Sequence, residues 1–150
     1  MTDVVLVHAT AIAIDGAAVL LRGPPGAGKS DLALRLIDGG ARLVADDQTE
    51  LRREKARIMV RAPAAIAGLI EVRGIGIMRV GAVDEAPLAM LVDLAAAAEI
   101  ERLPESRFEE VLGVAIPLIA LAPFEASAAA KIRLARRAFP APPSPAILRG

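Results

Sequence analysis

Several residue types on which common active sites depend are absent from this 150-residue chain, or nearly so. It contains no cysteine, which excludes disulfides, thiolate nucleophiles and Cys-ligated zinc. A single histidine, His8, excludes His-rich metal sites and argues against a Ser-His-Asp triad. There is no asparagine, which removes the Asn-Lys-x-Asp element by which many GTPases read guanine and the asparagine of the eukaryotic-type kinase catalytic loop.

The low aromatic content and the neutral charge further limit the partners of the chain. Phenylalanine occurs three times and tyrosine and tryptophan do not occur, which leaves no aromatic platform for stacking the bases of single-stranded nucleic acid. The 18 basic residues are balanced by 18 acidic ones, whereas general nucleic-acid binding needs a surplus of positive charge. We therefore expect no nucleic-acid partner.

The mean hydropathy is high, at +0.50, so a membrane segment has to be considered. Spanning a bilayer takes about 20 mainly apolar residues. Asp93 interrupts the apolar run Ala86–Ile100, and Pro117 and Pro123 punctuate the run Leu112–Phe124. The first residues also lack the basic leader of a signal peptide. The sequence predicts a soluble cytoplasmic protein with no membrane partner.

The length of the chain suits one domain with a tail. A chain of this size buries roughly 70% of its unfolded surface, which is enough for a single core. Four prolines fall between residues 139 and 150. We expect a single domain over residues 1–138 and a proline-rich, disordered tail over residues 139–150.

Hydrophobic patterning predicts a β-rich α/β domain with few helices. Helical spacing predicts helices over residues 31–37 and Ala126–Arg137, and Asp15-Gly16 predicts a hairpin turn. The pattern lacks the regular strand–helix alternation of a nucleoside-kinase fold. The predicted strands are Val4–Val7, Ala11–Ile14, Ala17–Leu21, Arg42–Ala45, Thr49–Arg53, Arg57–Arg61, Leu69–Val72, Gly76–Val80, Ala89–Leu94 and Ile116–Ala120.

Residues 23–30 match the phosphate-binding pattern G-x-x-x-x-G-K-[ST] at every fixed position. Glycines let the backbone turn tightly, so that successive N–H groups point at phosphate oxygens. The ammonium of Lys29 can reach the β- and γ-phosphates of ATP, and the hydroxyl of Ser30 can ligate Mg²⁺. A buried strand pattern precedes the loop and a helix pattern follows it, which favours a nucleotide site over a mere glycine-rich turn. The candidate nucleotide-binding residues are Gly23, Pro24, Pro25, Gly26, Ala27, Gly28, Lys29 and Ser30.

An acidic pair, Asp46-Asp47, follows the predicted strand Arg42–Ala45. An apolar strand that ends in aspartate is typical of a carboxylate that holds Mg²⁺ beside a P-loop. The spacing is unusually short, since Asp46 comes seventeen residues after Lys29. One acid can serve the metal while the other takes a proton from a substrate hydroxyl. The alternative is that the two acids simply begin a turn.

Two weaker signals are the Glu71–Arg73 cluster and His8. Glu71 and Arg73 are two residues apart on a predicted strand, so they share a face, and Gly74 follows them. Arg73 can neutralise charge on a transferring phosphoryl group, or it can form a surface ion pair with Glu71. His8 is either a structural residue of its strand or a side chain that orients a carboxylate or contacts a phosphate.

Together these segments resemble the catalytic domain of bacterial HPr kinase/phosphorylase, over about residues 5–137. The resemblance implies a P-loop fold related to that of phosphoenolpyruvate carboxykinase. It also implies ATP- and Mg²⁺-dependent phosphorylation of a serine on an HPr-like carrier protein of the phosphotransferase system, and phosphorolysis of that phosphoserine to pyrophosphate, in the regulation of carbon and nitrogen metabolism. The segments that carry it, in the family's order and spacing, are Val7-His8 and residues 23–30, 42–47 and 71–77.

The resemblance implies a role for each candidate residue. In the family the histidine and the first acid of the pair act on the reacting hydroxyl, and the second acid helps to bind metal. The catalytic residues expected here are His8, Asp46 and Arg73, and the expected metal ligands are Ser30, Asp47 and Glu71.

The chain departs from the full-length family in two respects. Residues 1–150 contain no counterpart of the family's separate N-terminal domain, and Ala122–Ala126 lacks the Arg-Asn pair expected there. We therefore expect the truncated form found in some proteobacteria, which has the catalytic C-terminal domain only. Family members assemble as hexamers and use the last helix at the partner interface, so we expect a homo-oligomer. The basic end of that helix, with Arg133, Arg136 and Arg137, suits an acidic carrier protein, or is a solvated helix end.

Two other functions remain open at this point. A small-molecule P-loop kinase would close an arginine-bearing lid over its substrate, and no segment with several lid arginines is recognisable. An ATP-binding regulatory module without transfer chemistry could retain both acids for metal alone. The serine protein kinase is the leading hypothesis.

Overall fold

A computed structural model describes residues 3–139 of the chain. The predicted tail therefore lies outside the described residues, apart from its first residue. The two helices are α1 (Lys29–Asp38) and α2 (Ala128–Ala138). The strands are β1 (Val4–Ile14), β2 (Ala17–Arg22), β3 (Arg42–Ala45), β4 (Gln48–Glu54), β5 (Arg57–Arg61), β6 (Leu69–Val72), β7 (Gly76–Arg79), β8 (Glu85–Leu94), β9 (Arg107–Val111) and β10 (Val114–Leu121).

Most strands join one sheet that closes on itself. Antiparallel pairing runs from β2 to β1, β4, β5 and β8, and β8 returns to β2 in parallel. From β8 the sheet continues in parallel to β10 and then antiparallel to β9, while β3 pairs with β1. The parallel β2 and β8 bring their carboxyl ends to one edge, and the P-loop leaves the sheet there, between β2 and α1.

Two hydrophobic clusters lie on opposite sides of the strands. The cluster inside the closed circuit contains Leu20, Ile58 and Leu88. The other lies beneath the helices and contains Leu36 of α1 and Ile132 of α2. Strand β2 contributes alternate residues to both, and its residues 17–21 are at most 2% exposed. This confirms that β2 is buried on both faces, as a strand between two layers must be.

The long strand β1 corrects one sequence prediction. Two short strands were expected at Val4–Val7 and Ala11–Ile14, but the chain forms one strand over Val4–Ile14. The polar residues between the two apolar runs do not interrupt it, because the first half pairs with β4 and the second with β2 and β3. Backbone pairing, rather than apolar content, sets the length of this strand.

The remaining elements follow the predictions, with shifts at their ends. The turn at Asp15-Gly16 joins β1 to β2, and α1 ends at Asp38 with Gly39 as its C-cap, as the predicted stop at Gly39-Gly40 implies. The helix α2 begins at Ala128, two residues later than predicted. Strand β9 was missed, since it carries three charged residues among five and lies at the sheet edge against β10. Neither helix of the described part is long and apolar enough to cross a membrane.

Candidate functional site

The P-loop connects β2 to α1 and is folded tightly on itself. Lys29, the first residue of α1, is only 8% exposed. Its ammonium donates hydrogen bonds to the carbonyl oxygens of Gly23 at 2.6 Å and of Pro24 at 3.1 Å. Gly28 has φ of 97°, a left-handed conformation that glycine adopts without strain. The positive charge of Lys29 thus lies against the P-loop, close to the backbone N–H groups at the N-terminus of α1.

The carboxylate of Asp46 lies at the centre of the site. It is buried, with 6% exposure, at the end of β3. The hydroxyl of Ser30 donates to Asp46 Oδ1 at 2.7 Å, and the hydroxyl of Thr10 donates to the same oxygen at 3.1 Å. The backbone N–H of Glu71 donates to Oδ2 at 3.0 Å. One carboxylate therefore joins the P-loop helix, β1 and β6.

Thr10 is the residue of this cluster that the sequence analysis missed. Its hydroxyl donates to Asp46 and accepts a hydrogen bond from the backbone N–H of Asp47 at 3.0 Å. Thr10 is fully buried, so it fixes both acids relative to β1. Its position two residues after His8 on a strand, and hence on the same face, was the signal that could have found it.

Asp47 and His8 lie together at the exposed rim of the site. Asp47 is exposed and has φ of 68°, which is uncommon for a residue other than glycine. Its carbonyl accepts the N–H of Ala9 at 3.0 Å, which places it beside His8. His8 is exposed and lies on the Thr10 face of β1. The structure thus brings both acids and the histidine to one region, with Asp46 inside and Asp47 outside.

The Glu71–Arg73 cluster belongs to a separate two-stranded hairpin made of β6 and β7. Glu71 is exposed on β6, and its backbone binds Asp46, so its side chain lies at the edge of the site. Strand β6 ends at Val72, which is the predicted end of this strand, so Arg73 lies in the turn that follows it. The shared-face argument for Glu71 and Arg73 therefore does not apply, and Arg73 extends from an exposed turn.

An ion-pair network fixes the start of the P-loop. Arg22, the residue before Gly23, donates to both oxygens of Asp93 at 2.7 and 3.1 Å and to both of Glu109 at 2.6 and 2.8 Å. Hydrogen bonding from Arg22 lowers the pKa of Glu109, and the two carboxylates raise the pKa of Arg22. The bidentate geometry restricts the side chain on the strand from which the loop departs.

The arginines of α2 do not form the basic surface that the sequence suggested. Arg136 is 6% exposed and donates to the carbonyl oxygens of Ile14 at 3.2 Å and of Asp15 at 3.5 Å. Burial lowers its pKa. Arg133 donates to the carbonyl of Leu36 at 3.0 Å, near the end of α1. Two of the three arginines anchor the helix, and only Arg137 is exposed.

The oxygen donors of the site fit a magnesium ion that is shared with phosphate. Mg²⁺ is usually held by one or two carboxylates, waters and substrate phosphates. The Ser30 hydroxyl and the Asp46 carboxylate, 2.7 Å apart, are a donor pair of this kind, with Asp47 and Glu71 at the rim. Within residues 3–139, no cluster of three or more acidic or histidine side chains could hold a metal by itself. The set is suited to a metal that arrives with a nucleotide.

Comparison with known proteins identifies relatives over most of the described residues. Residues 1–132 match the HPr serine kinase C-terminal domain. The chain is similar to a solved structure, the Hpr(Ser) kinase/phosphatase from Coxiella burnetii, with 29% identity and a TM-score of 0.79 over 89% of this chain and 94% of that one. The expected P-loop fold, β-rich with two helices in the described part, is thereby confirmed.

Two curated relatives are similar over parts of the chain. The HPr kinase/phosphorylase of Halalkalibacterium halodurans is 48% identical over 75 residues, which are 49% of this chain and 24% of that protein. The HPr kinase/phosphorylase of Peptoclostridium acidaminophilum is 38% identical over 115 residues, 72% of this chain and 36% of that protein. The matched segment thus spans between a quarter and about a third of the length of these relatives.

Proposed function

Because the chain belongs to the HPr serine kinase C-terminal domain family, we propose that it is an ATP- and Mg²⁺-dependent protein kinase acting on a serine of an HPr-like phosphocarrier protein in the cytoplasm. We propose also that it removes the phosphoryl group by phosphorolysis: inorganic phosphate attacks the phosphorus of the phosphoserine, the bond from that phosphorus to the serine oxygen breaks, and pyrophosphate and the free serine hydroxyl are formed. The observation that carries the proposal is the 2.7 Å hydrogen bond from Ser30 of the P-loop to Asp46. It joins the phosphate-binding loop to an acid, as phosphoryl transfer requires.

In this proposal the P-loop holds the phosphates of ATP. Its backbone N–H groups and the N-terminus of α1 favour negative charge. The ammonium of Lys29 supplies a full positive charge within the same loop, where it is already hydrogen-bonded to the carbonyls of Gly23 and Pro24. Arg22, fixed by its two carboxylate partners, supports the strand end from which the loop starts.

The metal ligands in this proposal are Ser30, Asp47 and Glu71, with Asp46 adjoining Ser30. Mg²⁺, when bound, would neutralise charge on the transferring phosphoryl group. The hydroxyl of Ser30 is oriented by Asp46, and the hydrogen bond from the backbone N–H of Glu71 to Asp46 fixes the strand that carries the Glu71 side chain. These contacts hold the oxygens at one edge of the P-loop.

The two acids divide proton transfer and metal binding between them. In the first assignment Asp46 accepts the serine proton, His8 assists at the same hydroxyl, and Asp47 holds the metal. A second assignment exchanges the acids, and one observation favours it: the P-loop hydroxyl that ligates metal donates to Asp46, whereas Asp47 is exposed beside His8. Arg73 neutralises phosphoryl charge from its turn in both assignments.

The proposed activity is tested with labelled ATP, Mg²⁺ and a purified HPr-like carrier protein. The wild-type chain should label a serine of the carrier, and phosphate added to the labelled carrier should release pyrophosphate. Lys29→Ala should abolish labelling, whereas Lys55→Ala, which removes an exposed lysine from the β4–β5 turn, should not. Label on a small metabolite, with none on any carrier protein, would defeat the proposal and favour a small-molecule kinase.

Asparagine substitutions separate the roles of the acids. Loss of a general base lowers the transfer rate by about 10²–10⁴ with nucleotide binding retained. Loss of a metal ligand raises the Mg²⁺ concentration needed for half-maximal rate. In the first assignment, Asp46→Asn should lower the transfer rate and Asp47→Asn should raise the Mg²⁺ requirement. In the second assignment, Asp47→Asn should lower the transfer rate and Asp46→Asn should raise the Mg²⁺ requirement. Wild-type transfer by both variants at limiting Mg²⁺ would mean that the pair only forms a turn.

A further inference from the structure

The loop between β10 and α2 places an exposed aromatic ring against the P-loop. A Cβ added at Gly28 would lie 2.9 Å from Cζ and 3.0 Å from Cε1 of Phe124, so the edge of this ring packs directly on the P-loop backbone. Phe124 is nevertheless 71% exposed. Much of the ring surface is therefore open to solvent immediately beside the phosphate-binding loop.

The segment that carries this ring is fixed from two sides. Arg35 of α1 donates to the carbonyl of Pro123 and, at 3.2 Å, to the carbonyl of Glu125. The Glu125 carboxylate in turn pairs with Lys131 of α2 at 2.9 Å. The residues on either side of Phe124 are thus bound to both helices, so the loop that carries the ring is restricted in its position.

Phe124 lies against Gly28, just before the P-loop helix begins, whereas Asp46 binds the hydroxyl of Ser30. Ser30 faces Asp46, whereas Arg35 lies on another face of α1 and holds the Phe124 loop. A nucleoside triphosphate is a linear molecule whose terminal phosphate and base are at opposite ends. If the terminal phosphate and metal lie toward Ser30 and Asp46, the ribose and base must leave the loop in another direction.

We infer that Phe124 is the platform on which the base of the bound nucleotide stacks. The inference rests on the proposed function, since it requires the P-loop to hold a nucleoside triphosphate. Base–aromatic stacking tolerates any base, because every base presents a π-face. The other two phenylalanines are placed differently: Phe108 lies on β9, and Phe139 packs against the hydrophobic cluster beneath the helices.

Tryptophan fluorescence gives a direct test, because the chain has no tryptophan of its own. Phe124→Trp places a single fluorophore at the site, and Phe108→Trp places one at an exposed phenylalanine on β9, with 60% exposure in the wild type. ATP with Mg²⁺ should quench the first variant and leave the second unchanged. Inorganic tripolyphosphate, which offers the loop phosphates without a base, should compete with ATP and reverse the quenching.

Affinities measured by calorimetry complete the test. Phe124→Ala should weaken ATP binding by at least about fivefold, the lower end of the range for one stacked base, and leave tripolyphosphate binding unchanged. Phe124→Leu keeps apolar contact with Gly28 but removes the π-face, so it should behave like the alanine variant. Phe108→Ala should bind both ligands as the wild type does.

The outcomes distinguish this inference from the proposed function. If the wild-type chain binds neither ATP nor tripolyphosphate, the P-loop assignment itself fails. If Phe124→Ala weakens ATP and tripolyphosphate equally, the ring only shapes the loop and the inference is overturned. Unchanged ATP affinity in Phe124→Ala, with slower phosphorylation of a carrier protein, would also overturn it, since the ring would then contact the protein substrate.

Discussion

The contact between Phe124 and the P-loop makes two neighbouring glycines respond differently to the same substitution. Gly26 and Gly28 have φ of 81° and 97°. An alanine at either position must adopt a left-handed backbone, which costs roughly 1–2 kcal/mol. A Cβ at Gly26 meets nothing within 4 Å, whereas one at Gly28 meets Phe124 at 2.9 Å and Pro123 Cβ at 3.4 Å. Gly28→Ala should therefore destabilise the fold more than Gly26→Ala.

The difference in stability between the two glycine variants depends on how easily Phe124 and Pro123 can move away from a new Cβ at position 28. Phe124 is 71% exposed, so its ring can turn away, at an off-rotamer cost of about 0.5–1.5 kcal/mol. Pro123 is less free, because its carbonyl is bound by Arg35. We expect a loss of about 1–2 kcal/mol for Gly26→Ala and of about 2–3 kcal/mol for Gly28→Ala in the free energy of unfolding.

Urea denaturation followed by circular dichroism measures these losses, since the chain has no tryptophan for fluorescence. A double-mutant cycle with Phe124→Ala isolates the steric part. In the Phe124→Ala background, Gly28→Ala should cost about 1 kcal/mol less than in the wild type, and Gly26→Ala should cost the same in both. Equal losses for the two glycine variants, with no coupling to Phe124, would refute the packing of the ring on the loop.

Three further predictions concern other contacts. Lys29→Ala should reduce the affinity for Mg²⁺–ATP, measured by calorimetry, because a charge-assisted contact worth about 1.5–3 kcal/mol is lost; unchanged affinity would contradict the P-loop assignment. Glu109→Gln should lower stability by up to about 1 kcal/mol at neutral pH. Arg22 lowers the pKa of Glu109, so the stabilisation by this ion pair is fully present above about pH 4.3, the ordinary glutamate value. It is lost as the pH falls through the pKa of Glu109 in the folded protein. The urea denaturation curves of the wild type and of Glu109→Gln should therefore converge in acid. Arg136→Ala should cost about 1–3 kcal/mol of unfolding free energy, because it leaves the buried carbonyl of Ile14 without its partner. The exposed Arg137→Ala should stay within about 0.5 kcal/mol, and similar losses for the two variants would contradict the buried anchor.

Local features of the chain were predictable because their physical causes are local. The P-loop is contiguous, and its glycines, lysine and serine are required at fixed spacing by the way a backbone turn meets phosphate. The hairpin at Asp15-Gly16 and the end of α1 near Gly39 follow from turn and capping preferences of a few residues. The acidic pair Asp46-Asp47 was recognisable because an apolar strand precedes it.

Strand limits were less predictable, since pairing partners decide them. The continuity of β1 through His8 and Thr10 depends on β4 and β2, which pair with its two halves. Strand β9 forms although its sequence is charged, because β10 offers it a free edge. Side-chain patterns alone carry no information on such pairing.

By itself the sequence determined the phosphate-binding loop, the acid pair and the β-rich class of the fold. Only the tertiary structure decided which distant groups meet: Thr10 with Asp46, the Glu71 N–H with the same carboxylate, and Phe124 with Gly28. It also turned Arg136 from an apparent surface charge into a buried anchor. The reason is that spacing along the chain fixes geometry over a turn or a strand, whereas contacts across tens of residues depend on sheet register and helix packing, which the whole core sets together.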